Sequence, residues 1–239
     1  MVDNRVYRSI ERPDSKLIDE LGNYGVATLH ESQNKTGLLN SYIHPIKNNL
    51  SIAGPAVTVL AHPGDNLMIH AAIAVASPGD ILVVSVSSEI DDGMFGELMA
   101  TSAIARGIRG LIIDAGVRDV AALREMDFPV WSKAICAKGT VKLRGGSVNV
   151  PIVCAGRYIC PGDVIIADDD GVVCVRREDV ERVIDAAHER EKREVKVRER
   201  LSKGELGMDF YGLWTLLDEQ GVWVEGLDAS SAHHSEGVY

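Results

Sequence analysis

Two short segments of this 239-residue chain combine residue types that can bind and activate a small anion. The first is Gly96-Glu97-Leu98-Met99, which reads as the start of a helix. Amides in a helix's first turn lack acceptors within it and carry about half a positive charge from the aligned peptide dipoles. Such a turn suits a carboxylate. The second is Asp114-Ala115-Gly116-Val117-Arg118-Asp119, read as a strand end, a turn of small residues and an Arg-Asp pair opening another helix. Arg118 can hold an oxyanion. Asp119 can anchor a hard divalent cation such as Mg²⁺, which takes one or two carboxylates and fills its other positions with water and substrate oxygen. Plainer readings stand beside these. Aspartate is a favoured helix N-cap, an arginine at that position can be ordinary surface, and an acidic Glu97 suits any first helical turn.

Other segments offer less. Neither G-x-x-x-x-G-K-[ST] nor G-x-G-x-x-G occurs, so the glycine-rich phosphate motifs are absent. His62 and His70 are eight apart, which does not recommend a paired metal site. Ser87-Ser88 lacks the context of a nucleophile elbow. Lys133, Lys138 and Lys142 could form a Schiff base with a carbonyl substrate, but nothing around them marks one out. Asp168-Asp169-Asp170-Gly171 resembles a cation loop; followed by Val-Val-Cys-Val, it is more simply a hairpin turn. Cys136, Cys154, Cys160 and Cys174 form no C-x-x-C pair and lie in or beside β-like runs. They are expected to be buried small apolar residues of a reducing cytoplasm.

The elements that must position these residues follow from periodicity and punctuation. Asp14-Ser15 starts a helix carrying Leu17, Ile18 and Leu21, and a second helix runs from Val26 to Gln33. Ser51–Leu60 reads as a strand, Asn66–Val75 as a helix and Ile81–Val86 as a buried strand. Asp91-Asp92-Gly93 breaks the pattern before a helix that starts at Phe95 or Gly96 and ends at Gly107. Gly110–Asp114 is a strand, Val120, Leu123 and Met126 share a helical face, and Pro129-Val130-Trp131 returns to strand. Strands alternating with helices predict a partly parallel sheet whose C-terminal loops are the natural ligand position. From Ala137 to Val175 short β runs alternate with tight turns, an antiparallel pattern. Pro-Gly-Asp occurs three times, at 63, 78 and 161, as turn punctuation. Residues 178–201 form a long charged helix whose apolar stripe (Val180, Val183, Ile184, Ala187) becomes acidic at Glu191 and Glu194. Either its second half is a solvated end, or it leaves the parent core and lies on another subunit; the apolar Gly207–Trp214 favours the latter. The last dozen residues read as disordered.

The composition bounds what this can be. Lys plus Arg total 25 against 35 Asp plus Glu, a net charge of −10, which argues against a nucleic-acid binder. With 46% apolar residues the chain can build a full core and is not globally disordered. No run approaches the roughly 20 apolar residues needed to span a bilayer. The N-terminus lacks the apolar stretch of an export signal, so a cytoplasmic location is expected. A −10 chain handling an anion needs a local positive site.

Four segments also carry a family resemblance: Val26-Ala27-Thr28-Leu29-His30-Glu31, Gly96-Glu97-Leu98-Met99-Ala100, Asp114–Asp119, and Pro161-Gly162-Asp163 through Asp170-Gly171-Val172-Val173. In order and spacing, over residues 15–215, they resemble the RraA-like superfamily. Within it the chain is most similar to the 4-hydroxy-4-methyl-2-oxoglutarate / 4-carboxy-4-hydroxy-2-oxoadipate aldolases, which share its long C-terminal helix and Gly204–Asp209 segment. The resemblance implies an α/β fold, a swivelling β/β/α-type sandwich with mixed sheets and a long C-terminal helical arm. The expected division is a catalytic core over residues 1–176 and an arm over 177–239 that packs on a neighbouring subunit. It implies a homotrimer or homohexamer and a divalent-metal-dependent pyruvate aldolase of protocatechuate or gallate breakdown, with oxaloacetate decarboxylation as a side activity. By the same resemblance Arg118 contacts the pyruvoyl oxygen, Asp119 holds Mg²⁺ or Mn²⁺, and the Gly96, Glu97, Leu98 and Met99 amides bind the carboxylate. The acidic position of that motif, aspartate in familiar relatives, is Glu97 here. A glutamate of a neighbouring subunit is implicated as well, Glu194 or alternatively Glu191. The partners implied are a small 2-oxo acid and the chain's own copies, with neither nucleic acid nor membrane. The alternatives are a non-catalytic ribonuclease-binding regulator and a dedicated oxaloacetate decarboxylase.

Overall fold

The computed structural model describes residues 4–222, so the expectation for the last dozen residues falls outside that range. The chain divides into two compact units, Met1–Ala187 and His188–Tyr239.

The first unit opens with two helices. In α1 (Ser15–Leu21) the Asp14 side chain accepts the Lys16 N–H at 2.9 Å, the expected N-cap. α2 (Val26–Ser32) follows. A short strand β1 (His44–Pro45) leads to β2 (Ile52–Ala61), α3 (Leu67–Val75) and β3 (Ile81–Val86). Next come β4 (Gly93–Phe95), α4 (Glu97–Ala105), β5 (Gly110–Val117), α5 (Val120–Glu125) and β6 (Val130–Ile135). The remaining strands are β7 (Ser147–Val148), β8 (Ile152–Cys154), β9 (Arg157–Ile159), β10 (Val164–Asp168) and β11 (Gly171–Val175). A 3₁₀ turn, Arg177–Asp179, then opens α6 (Val180–Ser202).

Nine strands form one mixed sheet in the order β1-β6-β5-β3-β2-β10-β11, with β4 beside β5 and β7 beside β2. The strands β2, β3, β5 and β6 run parallel, as helical crossovers require. β2 changes partner along its length: Ile52–Pro55 pairs antiparallel with β10, and Ala56–Ala61 pairs parallel with β3. Pro55, with no N–H to donate, stands at the change.

Side chains alternate across this sheet and build two cores. Val57, Val59, Leu82, Val84, Leu111 and Ile113 pack with Ile69, Ala72, Ala100, Ala103 and Leu123 of α3, α4 and α5. On the opposite face Ala56, Ile81, Val83, Ile112 and Trp131 pack with Ile152, Cys154 and Ile159 of the β8–β9 hairpin. Two buried hydroxyls fasten the segment that bears this hairpin: Thr58 Oγ1 donates to the Val150 carbonyl and Ser85 Oγ to that of Val153, each at 2.6 Å. A third cluster joins α1 and α2 to β10, β11 and the start of α6. The layered α/β arrangement with a long C-terminal helix is the fold expected from the sequence.

Three local expectations need correction. Asp91-Asp92-Gly93 does not simply break the pattern, because Gly93–Phe95 forms β4 along the outer end of β5. Ala115-Gly116-Val117 is strand and not a turn, since β4 and β6 pair with it from either side. Of the cysteines, Cys154 and Cys174 are buried, but Cys136 and Cys160 are partly exposed. Within the first unit, Val180, Val183, Ile184 and Ala187 of α6 are buried with the third cluster.

α6, 23 residues long, measures about 35 Å at 1.5 Å per residue. In the second unit its charges pair along the helix: Arg190 with Glu194 at 2.8 Å and Lys192 with Glu189 at 2.7 Å. Past its end lie α7 (Gly207–Phe210) and α8 (Leu213–Glu219). The Arg200 guanidinium stacks 4.2 Å from the Phe210 ring and pairs with Glu205 at 2.7 Å. No described helix is long and apolar enough to cross a membrane.

Candidate active site

The outer end of β5 brings the two predicted segments together. After Val117 the Arg118 N–H donates to the Phe95 carbonyl at 2.9 Å, which ties β5 to the residue before Gly96. The chain then turns through Asp119, whose φ of 56° and ψ of 36° lie in the left-handed region. Aspartate tolerates that region better than most residues. Asp119 occupies the N-cap position of α5, yet its side chain makes no cap bond there. Its Oδ2 accepts the Glu97 N–H at 3.2 Å and lies 3.8 Å from Arg118 Nε. The plain N-cap reading is thereby corrected: the carboxylate at the entry of one helix lies across the first turn of another.

Gly96 makes this approach possible. It is buried and extended, with φ −160°, a conformation any residue adopts. A Cβ there would collide with Asp119 Oδ2 and stand 3.0 Å from Arg118 Cγ. Two of the four expected cradle amides are engaged, Glu97 N–H by Asp119 and Met99 N–H by the Gly96 carbonyl at 3.1 Å. Leu98 N–H, in the first turn, has no acceptor within α4 by helix geometry. Arg118 and Asp119 side chains are 43% and 45% exposed, so the site opens at the surface, and the Leu98 side chain beside it is 82% exposed.

Sequence reasoning missed the walls around Arg118. A Cβ on Gly93 would stand 3.1 Å from Arg118 Cβ, and one on Gly139 3.1 Å from Arg118 Nη1. The residues just before these glycines, Asp92 and Lys138, form an ion pair of 2.9 Å. Asp92 holds the Lys138 ammonium above its usual pKa by hydrogen bonding and charge. Lys133 is likewise raised, chiefly by Glu89 at 2.7 Å, with Asp91 at 3.4 Å. A Schiff-base lysine needs the opposite shift, toward the neutral amine. Lys142 is exposed.

Among the described residues no group of three His, Cys, Asp or Glu gathers to cage a metal. Asp119 instead offers one half-exposed carboxylate packed against a glycine whose missing Cβ lets it approach. That donor set fits a hard ion such as Mg²⁺ or Mn²⁺ that keeps several water or substrate oxygens. It does not fit an all-protein cage. Glu194 sits on the part of α6 in the second unit, paired with Arg190, and Glu191 there is exposed. A cleft of about 310 Å³ lined by Tyr42, Val86, Glu89 and Asp114 contains none of the predicted site residues.

Known proteins share this arrangement of chain. The sequence profile of the RraA-like family, Aldolase/RraA, matches residues 15–174. A protein of Halalkalibacterium halodurans, provisionally named 4-hydroxy-4-methyl-2-oxoglutarate aldolase, is 34% identical over 153 residues, 64% of this chain and 73% of its own. An uncharacterised protein of Methanocaldococcus jannaschii is 31% identical over 192 residues, 80% of this chain and 91% of its own. The crystal structure of Streptomyces coelicolor RraAS2, described as an unusual member of the RNase ES inhibitor RraA protein family, aligns with a TM-score of 0.72. Its identity is 26%, covering 80% of this chain and 99% of that one. Matched in sequence across most of its first unit and in fold by these relatives, the chain belongs to the RraA-like (Aldolase/RraA) family.

Proposed function

We propose that the chain is a divalent-metal-dependent aldolase that cleaves 4-hydroxy-2-oxo di- and tricarboxylates, such as 4-hydroxy-4-methyl-2-oxoglutarate, to pyruvate and a second 2-oxo acid. The observation that carries this reading is the meeting of Arg118, the Asp119 carboxylate and the first turn of α4, brought close by Gly96 at a half-exposed surface. A guanidinium and a first-turn amide without an acceptor are groups that hold a 2-oxo carboxylate, and in this reading they face the charge of the enolate. The name of the H. halodurans relative supports the same substrate class.

In this mechanism the Leu98 amide binds the C1 carboxylate and Arg118 donates to the C2 carbonyl oxygen. Asp119 would hold Mg²⁺ or Mn²⁺, which when bound supplies Lewis acidity to a 2-oxo acid. A base, a water ordered by Glu97 or by the neighbouring subunit's glutamate, takes the proton of the C4 hydroxyl. The C3–C4 bond breaks, its electron pair moves to C3 and the C2 oxygen, and C4 leaves as the carbonyl of the second oxo acid. Arg118 stabilises the resulting pyruvate enolate, and protonation at C3 completes pyruvate. Oxaloacetate would lose CO₂ through the same enolate. The assembly proposed is a homotrimer or homohexamer in which Glu194 of a neighbouring subunit, or Glu191, reaches the site. The open site and the 82% exposed Leu98 suit such cover.

The test is pyruvate release, coupled to lactate dehydrogenase, across a panel of 2-oxo acids. EDTA should abolish release and Mg²⁺ or Mn²⁺ restore it, and Asp119→Ala should behave like the EDTA-treated protein. Unchanged turnover in EDTA removes the metal from the reading. Oxaloacetate as the single substrate turned over makes the chain a dedicated decarboxylase. Likeness to the S. coelicolor protein, a member of an RNase ES inhibitor family, favours a second reading, a ribonuclease inhibitor. Ribonuclease inhibition with no pyruvate from any oxo acid would establish it.

A further inference from the structure

Arg118 is the cation that the aldolase reading places on the C2 oxygen, and its side chain runs between two glycines, Gly93 and Gly139. Each glycine is preceded by a charged residue, and these two residues, Asp92 and Lys138, face each other at 2.9 Å. Gly93 N–H also donates to the Lys138 carbonyl at 2.8 Å, so both the backbone and the side chain of Lys138 are fixed to the β4 entry. Asp92 is buried, its side chain 12% exposed, while Lys138 is 70% exposed. An ammonium carries three donors, and the contact with Asp92 uses one. Lys138 is thus an oriented cation with donors left over, borne by the residue next to the one that abuts the Arg118 guanidinium.

We propose that Lys138 binds the distal carboxylate of the substrate and makes the site selective for 4-hydroxy-2-oxo acids that carry one. Asp92 is the positioning residue that aims it. The proposal rests on the aldolase reading of the Arg118 site. It gives that reading a division of labour: Arg118 addresses the pyruvoyl half common to all such substrates, and Lys138 addresses the half that differs. A −10 chain gains by it, because a second fixed cation lets the local field at the site outweigh the charge of the whole.

The experiment compares kcat/KM for 4-hydroxy-4-methyl-2-oxoglutarate with that for 4-hydroxy-2-oxopentanoate, which lacks the distal carboxylate. Lys138→Met keeps the stem and removes the charge. It should lower the preference for the dicarboxylate about 10–100-fold, the range of a lost charged hydrogen bond, chiefly through KM. Lys138→Arg should retain most of the preference. Equal losses on both substrates, or an unchanged ratio, overturn the assignment while leaving the aldolase reading intact. Deuterium exchange into the pyruvate methyl group by the wild-type protein checks that reading separately. Absence of both exchange and cleavage overturns the two together.

Discussion

Gly96 separates what the site needs chemically from what the fold needs. Its φ of −160° is open to alanine, so the backbone offers no objection. The obstacle is the Asp119 carboxylate and Arg118 Cγ, both on side chains that can move. Gly96→Ala is therefore expected to fold with a melting temperature close to wild type. Asp119 must swing off the Glu97 amide, which should cost about 10–100-fold in metal affinity or turnover, as loss of orienting contacts around a metal ligand typically does. A metal titration of activity beside a thermal melt checks both halves; a large loss of stability would show the glycine to be structural. At this scale the sequence was informative about residue types. Arg118 and Asp119 are adjacent and polar at a strand end, so they are visible without coordinates. The Asp92–Lys138 pair and the Gly93 and Gly139 walls were not visible, because segments far apart in the chain meet there through the pairing of β5 with β4 on one side and β6 on the other.

The long elements were legible because their patterns are redundant. β2, β3 and β5 are rich in β-branched residues, and α1 carries both a capping aspartate and a terminating glycine. β4 was not legible: three residues hold no periodicity, and only the extended end of β5 makes them a strand. The Pro-Gly-Asp turns were recognised as punctuation, but their aspartates do more. Asp65, Asp80 and Asp163 are all buried. Asp80 receives Arg12 through two bonds of 2.8 and 2.7 Å, and Asp163 accepts the Cys160 N–H at 2.8 Å. Asp65 accepts N–H groups from Leu67 at 2.9 Å and from Leu143 and Arg144 at 2.7 Å, pinning the 141–144 segment to the start of α3. Burial pushes its pKa up, but the three donors outweigh burial and leave it below the ordinary 3.8. A carboxyl with a lowered folded pKa stabilises wherever it is ionised, and that contribution is lost as pH falls through the folded value. An asparagine offers one oxygen and an NH₂ that would face donors. Asp65→Asn should thus destabilise by about 1–3 kcal/mol. The gap in urea stability should be constant between about pH 5 and 8 and shrink only below the usual carboxylate range. A gap that varied across neutral pH would assign the effect elsewhere.

For the whole molecule, the −10 charge weighs against phosphate-rich partners but misdescribes the one place where a small anion is expected, beside Arg118 and Lys138. The same tension between global and local holds for α6. Its first turns are buried in the first unit's core, whereas from His188 onward its charges pair along its own surface. Glu194 lies on the part of this helix that belongs to the second unit. The proposed assembly makes a sharp demand of such a helix, because each site would then take Arg118 from one chain and Glu194 from the next. Neither Arg118→Ala nor Glu194→Gln should be active alone. Mixed after gentle dissociation, the two would place an intact Arg118 beside an intact Glu194 in about one site in four, since each of two independent positions is correct half the time in a symmetric ring. Pyruvate release should recover to about a quarter of wild type, with the mixed assembly confirmed by native mass spectrometry. If Glu194 instead serves its own chain, every site in the mixture lacks one group and activity stays at the level of the separate variants. Recovery would also show that the arm crosses to another chain, because only a neighbour's α6 can supply what the Glu194→Gln chain has lost.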